Sequence, residues 1–251
     1  MENKDLNQLK KIITESNNIV FFGGAGVSTE SGIPDFRSKN GLYNQHDVNF
    51  AKYQPEYLLS KDCFQNEPKV FYEFYRQKMD VRNYEPNTTH KVLAKMEAKG
   101  KLSGIVTQNI DRLHQKAGSK KVYEIHGTTY RNYCIKCHRE FDENYIFDSI
   151  DKIPRCPNCG QFVRPDVILY GENLPEEAVK NALNAIESAD CLIVGGTSLQ
   201  VYPAAAFLTH FTGEHLIIIN NEEINVPLNP DTDMMIVDSL GNVFSEIEKM
   251  I

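Results

Sequence analysis

Short apolar runs alternate along the chain with amphipathic stretches of helical period. Leu6, Leu9, Ile12 and Ile13 recur at three- and four-residue spacing and predict an opening helix. Ile19-Val20-Phe21-Phe22 is a continuous apolar run ending at Gly23-Gly24-Ala25-Gly26, the pattern of a buried strand entering a glycine turn. The rhythm then repeats. A helix is predicted from Thr88 to Lys99, stopped by Gly100, and a strand at Gly104-Ile105-Val106-Thr107. Ala178, Val179, Ala182, Leu183 and Ile186 form a helical stripe beginning near Pro175. Cys191 to Val194 and Leu216 to Ile219 read as further strands, and Val243, Phe244 and Ile247 as a closing helix.

Apolar strands alternating with helices require a parallel sheet covered on both faces, an α/β fold of the Rossmann-like, doubly wound kind. Two stretches break the alternation. Residues 42–85 hold 10 of the chain's 25 Phe and Tyr residues and predict a packed helical insertion. Residues 128–163 hold two cysteine pairs and predict a zinc ribbon. The expected organisation is therefore a Rossmann-like domain from 1–41, 86–127 and 164–251, with both insertions forming a smaller domain. In such sheets ligands bind beyond the carboxyl ends of the strands.

Composition narrows the function classes. The 251 residues carry a net charge of −7, which provides no global field for nucleic acid. Lys120 to Arg164 contains eight Lys/Arg and six Asp/Glu, a balance of only +2, so the ribbon is not expected to be a nucleic-acid module. No apolar run reaches 18 residues, and the stretch from Met1 to Lys11 is polar, so neither a membrane span nor a secretory signal is expected. The expected location is the cytoplasm, where thiols stay reduced. The oligomeric state is not legible.

The cysteines give the sharpest local signal. Cys134-x-x-Cys137 and Cys156-x-x-Cys159, with 18 residues between the pairs, supply four thiolates for one tetrahedral zinc. Four sulfurs leave no open coordination position, so the zinc is expected to be structural. Cys63 and Cys191 stand alone.

Other signals are weaker singly. Gly24-Ala25-Gly26 begins a dinucleotide fingerprint, but Thr29 stands where its third small residue belongs; alone it fits a phosphate cradle and an ordinary strand–helix turn equally. Gly195-Gly196-Thr197-Ser198 offers a second turn after a second apolar strand, and Asn220 and Glu222 follow a third, where they could meet ribose hydroxyls. Thr107-Gln108-Asn109-Ile110-Asp111 is polar where a strand should end, so it faces a cleft or makes a capped turn. His126 has the titration range of a general base, although a lone histidine is more often structural.

Together these pieces resemble the sirtuin family of bacterial type. The shared signatures are Gly24-Ala25-Gly26-Val27-Ser28, Ser31-Gly32-Ile33-Pro34-Asp35-Phe36-Arg37, Thr107 to Asp111 and His126-Gly127. The four cysteines, Arg164-Pro165-Asp166-Val167, Gly171-Glu172 and Gly196-Thr197-Ser198-Leu199 complete the set in the same order. The resemblance implies an NAD-dependent protein lysine deacetylase with NAD as co-substrate, one structural zinc, and acylated-lysine proteins or peptides as partners. Gly24, Ala25, Gly26, Arg37, Gly196, Thr197 and Ser198 would line the pyrophosphate and adenosine side of NAD, with Asn220 and Glu222 at the adenosine ribose. Gln108, Asn109 and Asp111 would surround the nicotinamide end, with Asp35 and Phe36 nearby. Catalysis would rest on His126 and Asn109. Val167, Ile168, Leu169 and Tyr170 would pair with an extended peptide by edge addition. The acetyl oxygen would attack the nicotinamide ribose, His126 would act as base on the ribose hydroxyls, and 2′-O-acetyl-ADP-ribose and free lysine would leave.

Departures from the family pattern mark what is particular to this chain. Gly23 stands for a usual Thr or Ser, Arg112 for a common Gly, and Leu169 for a frequent Phe. Sirtuins that favour succinyl or malonyl lysine carry a Tyr and, three residues on, an Arg. Here Tyr72 matches the first but Tyr75 takes the second place, with Arg76 one helical step further round. A neutral short acyl group is expected. The alternatives are ADP-ribosyl transfer to another nucleophile, and an inactive NAD-sensing or zinc-ribbon binding module.

Overall fold

A computed structural model describes residues 3–39, 41–44, 48–199 and 204–251. The chain opens with helix α1 (Asn3–Glu15), whose Leu9, Ile12 and Ile13 are buried, and enters strand β1 (Ile19–Gly23), buried throughout. Short helices α2 (Pro55–Leu58), α3 (Lys61–Asn66) and α4 (Pro68–Lys78) follow, then α5 (Thr88–Ala98), β2 (Leu102–Thr107), α6 (Leu113–Lys116) and β3 (Val122–Glu124). Next come β4 (Gly127–Cys134), β5 (Glu140–Asp142), α7 (Asn144–Phe147) and β6 (Val163–Val167). The last part runs through α8 (Glu176–Ser188), β7 (Cys191–Gly195), α9 (Ala204–Phe207), β8 (His215–Asn220), β9 (Met234–Val237) and α10 (Leu240–Glu248).

Among the described residues one sheet is six-stranded and parallel, in the order β3-β2-β1-β7-β8-β9. This is the doubly wound arrangement, with the order reversing between β1 and β7. Both faces are covered, which is why the strands read as unbroken apolar runs. Ile19 and Phe21 of β1, with Ile193 and Ile217, pack against α1, α5 and α10; Val20 and Phe22, with Leu192 and Ile218, pack against α8. Removing one such buried side chain to Ala costs about 2–5 kcal/mol.

The insertions pack on each other. Phe71, Tyr72 and Tyr75 of α4 share a cluster with Ile146, Val163, Cys134 and Cys156 of the ribbon, whose sheet has the antiparallel order β5-β4-β6. The sequence pattern did not disclose β3 or β9. Both are short edge strands, half-exposed in part, and so lack the apolar run that marks the central four.

α5 begins with Asn87, whose side chain accepts from the His90 N–H while His90 Nδ1 accepts from the Asn87 N–H. That capping box carries His90 into the interior, where its ring lies 4.7 Å from the ring of His114 on α6. Both are buried, and both His114 nitrogens and His90 Nε2 lack a hydrogen-bond partner among the described residues. Desolvation keeps both rings neutral: it lowers the pKa of His90 to about 4 and that of His114 well below its ordinary range, with His90 adding to the latter. Histidines with depressed native pKa values contribute stability above the unfolded value of about 6.5 and lose it as pH falls toward the native one. Each should cost up to about 1.4 kcal/mol per pH unit over that range. Urea unfolding at pH 7.5 and 5.5 should therefore show clear acid destabilisation, and His114→Phe should flatten the slope. Equal stability of the wild type at the two pH values would contradict this account.

Candidate functional site

The turns after β1 and β7 lie side by side because Gly23 pairs with Gly195. The Gly24 N–H donates to Gly195 O at 3.2 Å and the Gly26 N–H to Gly196 O at 2.8 Å. A Cβ on Gly26 would stand 2.8 Å from Gly196 Cα, and one on Gly24 2.7 Å from Thr197 Cβ. The glycines are thus required by the approach of one turn to the other. Ala25–Val27 and Thr29–Ser31 are 3-10 turns, so the first glycine turn does not open the α-helix that a dinucleotide fingerprint normally precedes.

β2 brings the third segment to the same place, since Gly23 also pairs with Thr107. The Gln108 N–H donates to Gly23 O at 3.0 Å, and the Gln108 amide reaches Thr197 Oγ1 at 3.3 Å. Beneath them runs a buried chain. Asn109 Nδ2 donates to Ser28 Oγ at 3.1 Å, and Ser28 Oγ donates to Asp111 Oδ2 at 2.6 Å. The Leu113 N–H donates to Asp111 Oδ1 at 2.9 Å. Burial raises the Asp111 pKa, while Ser28 and the Leu113 N–H oppose that rise. Ser28 links the first and third motifs, a role its place in the motif did not disclose.

His126 follows β3 and meets the same strand ends. Its Nδ1 lies 3.0 Å from Gln108 O, and a carbonyl can only accept, so Nδ1 carries the proton and Nε2 the lone pair. Burial lowers its pKa, partly offset by that bond. Its neighbour must be glycine. Gly127 has φ +76°, and a Cβ there would fall 2.1 Å from Asp166 O across the β4–β6 pairing.

The remaining expected residues lie around this centre. Asp35 Oδ1 accepts from the N–H groups of Arg37 and Ser38 at 3.0 and 2.8 Å, and the Phe36 ring stands 5.4 Å from that of Tyr43. Arg37 is exposed and donates to Tyr170 Oη at 3.2 Å. Ser198 and Glu222 are exposed, and Asn220 Nδ2 donates to Glu222 O at 3.1 Å at the end of β8. Val167 and Leu169 are buried, Ile168 is half-buried and Tyr170 exposed; Val167 and Ile168 line a cavity of about 430 Å³ together with Lys61 and Glu172. The backbone at Tyr170 is already engaged: its N–H donates to Leu59 O and its carbonyl accepts from the Lys61 N–H, both at 3.0 Å. The Leu169 N–H donates to Glu172 Oε2, and Glu172 is held by Arg164 at 2.6 Å.

Arg112 has φ +61°, the left-handed region, which explains why glycine is common at its position. Its guanidinium lies over the Tyr130 ring, 5.4 Å from the centroid, at the wall of a second cavity of about 440 Å³. The side chain is exposed while His114 is buried, so the extra charge is directed away from the interior.

The cysteine sulfurs converge as their spacing requires. All four Sγ atoms lie within 4.8 Å of one another, with 3.3 Å between Cys134 and Cys159 and 3.6 Å between Cys137 and Cys156. Tetrahedral ligands at about 2.3 Å from zinc stand about 3.8 Å apart. These separations fit that geometry and exceed the bonded distance of a disulfide, about 2.05 Å. The site lies against the aromatic core of α4. Metal analysis of the purified protein should give one zinc per chain. Replacing any of the four by Ala should abolish it and destabilise the fold by several kcal/mol, whereas Ser at Cys63 or Cys191 should leave the metal in place. Absence of stoichiometric zinc would refute the assignment.

Comparison with known proteins agrees with this geometry. The family model described as Sir2 family matches residues 24–203. An NAD-dependent protein deacetylase of Clostridium acetobutylicum is 52% identical over 242 residues, covering 96% of this chain and 97% of that protein. A Sir2 variant solved with a deacetylated p53 peptide and 3′-O-acetyl-ADP-ribose superposes with a TM-score of 0.85 at 33% identity, covering 97% of each chain. A Sir2 protein bound to a propionylated peptide superposes with a TM-score of 0.82 at 32% identity, again over 97% of each. The chain belongs to the Sir2 family.

Proposed function

We propose that this chain is a cytoplasmic NAD-dependent protein lysine deacetylase, releasing nicotinamide, 2′-O-acetyl-ADP-ribose and free lysine. The observation that carries the reading is the meeting of His126, Asn109, Asp111, Ser28 and Thr197 at the carboxyl ends of adjacent parallel strands, where the strand order reverses. Four free, closely grouped thiols suit a reducing compartment. No helix among the described residues is long and apolar enough to cross a membrane.

The residues divide the work as follows. NAD supplies the ribose that exchanges nicotinamide for the acyl oxygen. Gly24, Ala25, Gly26, Gly196, Thr197 and Ser198 would hold its pyrophosphate through backbone N–H groups and hydroxyls, with Arg37 as the nearby cation. Asn220 and Glu222 would take the adenosine ribose, and Asn109, Gln108 and Asp111 the nicotinamide end. Phe36 and Asp35 would close the site over the reacting sugar and exclude water. Neutral His126, with Nδ1 donating to Gln108 O, presents Nε2 to take a proton from a ribose hydroxyl. The stretch from Val167 to Tyr170 would line the acyl-lysine peptide. Because the Tyr170 backbone is engaged by Leu59 and Lys61, and the Ile168 and Leu169 N–H groups by His126 O and Glu172, the peptide would be met along this stretch mainly by side chains.

Mass spectrometry of one acetyl-lysine peptide incubated with protein and NAD tests the reading. Free lysine peptide and nicotinamide should form in equal amounts; nicotinamide without deacetylated peptide would point instead to ADP-ribosyl transfer. His126→Ala should cut turnover by about 10²–10⁴-fold while NAD affinity stays near the wild-type value. Wild-type turnover in that variant would remove His126 from the mechanism.

Acyl preference follows from α4. Arg76 Nε donates to Ile146 O at 2.8 Å and its Nη2 to Asp151 O at 2.6 Å, so the guanidinium is committed to the ribbon. Tyr72 Oη donates to Val163 O at 2.7 Å. With Arg76 committed to the ribbon and Arg164 paired with Glu172, burying the carboxylate of a succinyl group would cost several kcal/mol. Acetyl, propionyl or butyryl peptides should exceed the succinyl peptide in kcat/KM by at least about tenfold, about 1.4 kcal/mol. Equal kinetics on matched peptides would show that a cation reaches the acyl group after all.

A further inference from the structure

The segment from Asp35 to Asn44 is cross-bonded to itself. Asp35 Oδ1 accepts from Arg37 and Ser38, and Asp35 O from the Leu42 N–H at 2.7 Å. Phe36 O accepts from the Tyr43 N–H at 3.0 Å. The Asn44 amide closes the far side on Arg37 O at 3.1 Å and Ser38 O at 2.7 Å. Gly41 permits this closure, since a Cβ there would stand 2.7 Å from Arg37 N and from Asp35 Oδ1. The described residues of the segment are thus bonded to one another, and few ties among them run outward to the rest of the protein. Leu42 and Phe36 supply apolar contacts with the small-domain core, which are weakly directional.

The directional tie is the hydroxyl of Tyr170, the last residue of the stretch expected to line the peptide. Tyr170 Oη lies 2.8 Å from Tyr43 Oη and accepts from Arg37 Nη2 at 3.2 Å. The Arg37 guanidinium also sits over the Tyr43 ring, 5.8 Å from its centroid. Burial, then proximity to Tyr170, pushes the Tyr43 phenol far above its ordinary value, so it remains protonated. The Tyr170 backbone is fixed independently by its two bonds to Leu59 and Lys61, so its hydroxyl is a firm anchor. Arg37 has no carboxylate within ion-pairing distance among the described residues, which leaves its charge free for an anionic ligand while Tyr170 orients it.

Resting on the deacetylase reading above, we propose that Tyr170 is a positioning residue: its hydroxyl sets Arg37 and the Asp35–Asn44 segment toward NAD, and so couples the peptide-lining stretch to dinucleotide affinity. Tyr43 is the second member of the same device. Loss of one hydrogen bond to a charged group changes an affinity by about 10- to 100-fold when the partner is stranded, and by about 3- to 10-fold when water replaces it. Arg37 is exposed, so the smaller figure applies.

Tyr170→Phe removes only the oxygen. In steady-state assays with a saturating acetyl peptide its KM for NAD should rise about 3- to 10-fold, with kcat moving less than about twofold. Tyr43→Phe should do the same, and the double variant no more than either alone, since the groups act as one unit. Equal losses in kcat, or additive effects of the two substitutions, would overturn the proposal. Hydrogen exchange of the Asp35–Asn44 amides without NAD gives a readout independent of turnover. Exchange should quicken in both variants, and unchanged exchange in either would overturn it too. Should the wild type release no free lysine peptide, the deacetylase reading fails, while titration calorimetry with NAD and the exchange data still decide whether Tyr170 positions Arg37.

Discussion

The close approach of two backbone turns governs most of this structure. β1 and β7 are neighbours at the reversal of strand order, and their exits must diverge to opposite faces of the sheet. The Gly24–Gly26 and Gly195–Gly196 turns do this in contact, joined by two N–H to carbonyl bonds and with no room for a Cβ between Gly26 and Gly196. Once they are locked, the end of β2 has one place to go. The Gln108 N–H bonds to Gly23 O, and Asn109 and Asp111 are then carried over Ser28. The site is therefore a consequence of strand pairing, held by bonds that any one segment lacks alone. Glycine at 26 serves the fold first; whatever ligand the cradle takes benefits from a geometry already required.

The two insertions solve a different problem. Neither insertion has enough apolar surface to fold by itself. The helical one presents Phe64, Phe71, Tyr72 and Tyr75, and the ribbon presents Val163, Ile146 and two of its cysteines to the same cluster. Edge-on pairs such as Phe64–Phe71 and Phe71–Tyr72, at 5.2 and 5.3 Å, give that cluster a defined geometry. Arg76 then ties α4 to the ribbon through Ile146 O and Asp151 O. A cation that reads one substep away from an acyl pocket in sequence is, in three dimensions, a structural strut.

The central strands and flanking helices were legible because burial on both faces leaves continuous apolar runs, as in Ile19–Phe22 and Cys191–Val194. The cysteine knuckles were legible because their spacing has few other uses. β3 and β9 were not, since an edge strand of three or four residues with one face toward solvent has no periodicity to detect. The paired neutral histidines were also hidden: His90 reads as a polar residue at the start of a helix, and only the packing of α5 on α6 shows it sealed against His114. Ser28 was visible as part of a motif, but its bond to Asp111 spans 83 positions and depends on the strand order. The hydroxyl of Tyr170 had no signal, because its meaning lies in Tyr43 and Arg37, more than a hundred residues away.

The distribution of charge at the centre carries the last step. Asp111 is buried, and a buried carboxylate without partners would cost several kcal/mol. It survives because Ser28 and the Leu113 N–H bond to it, both fixed by backbone geometry. Ser28 has one proton to give and gives it to Asp111, so its oxygen must accept from the Asn109 amide, and this orders the donor direction along the whole chain. His126 reaches the same kind of definition, since Gln108 O fixes its proton on Nδ1. The site thus holds oriented neutral groups around one buried carboxyl group, Asp111, and Arg37 stands at the exposed rim. An uncharged interior with oriented donors and one carboxylate can stabilise a cationic ring or sugar without competing ions, while the anionic portion of a ligand is left to the glycine turns and the rim.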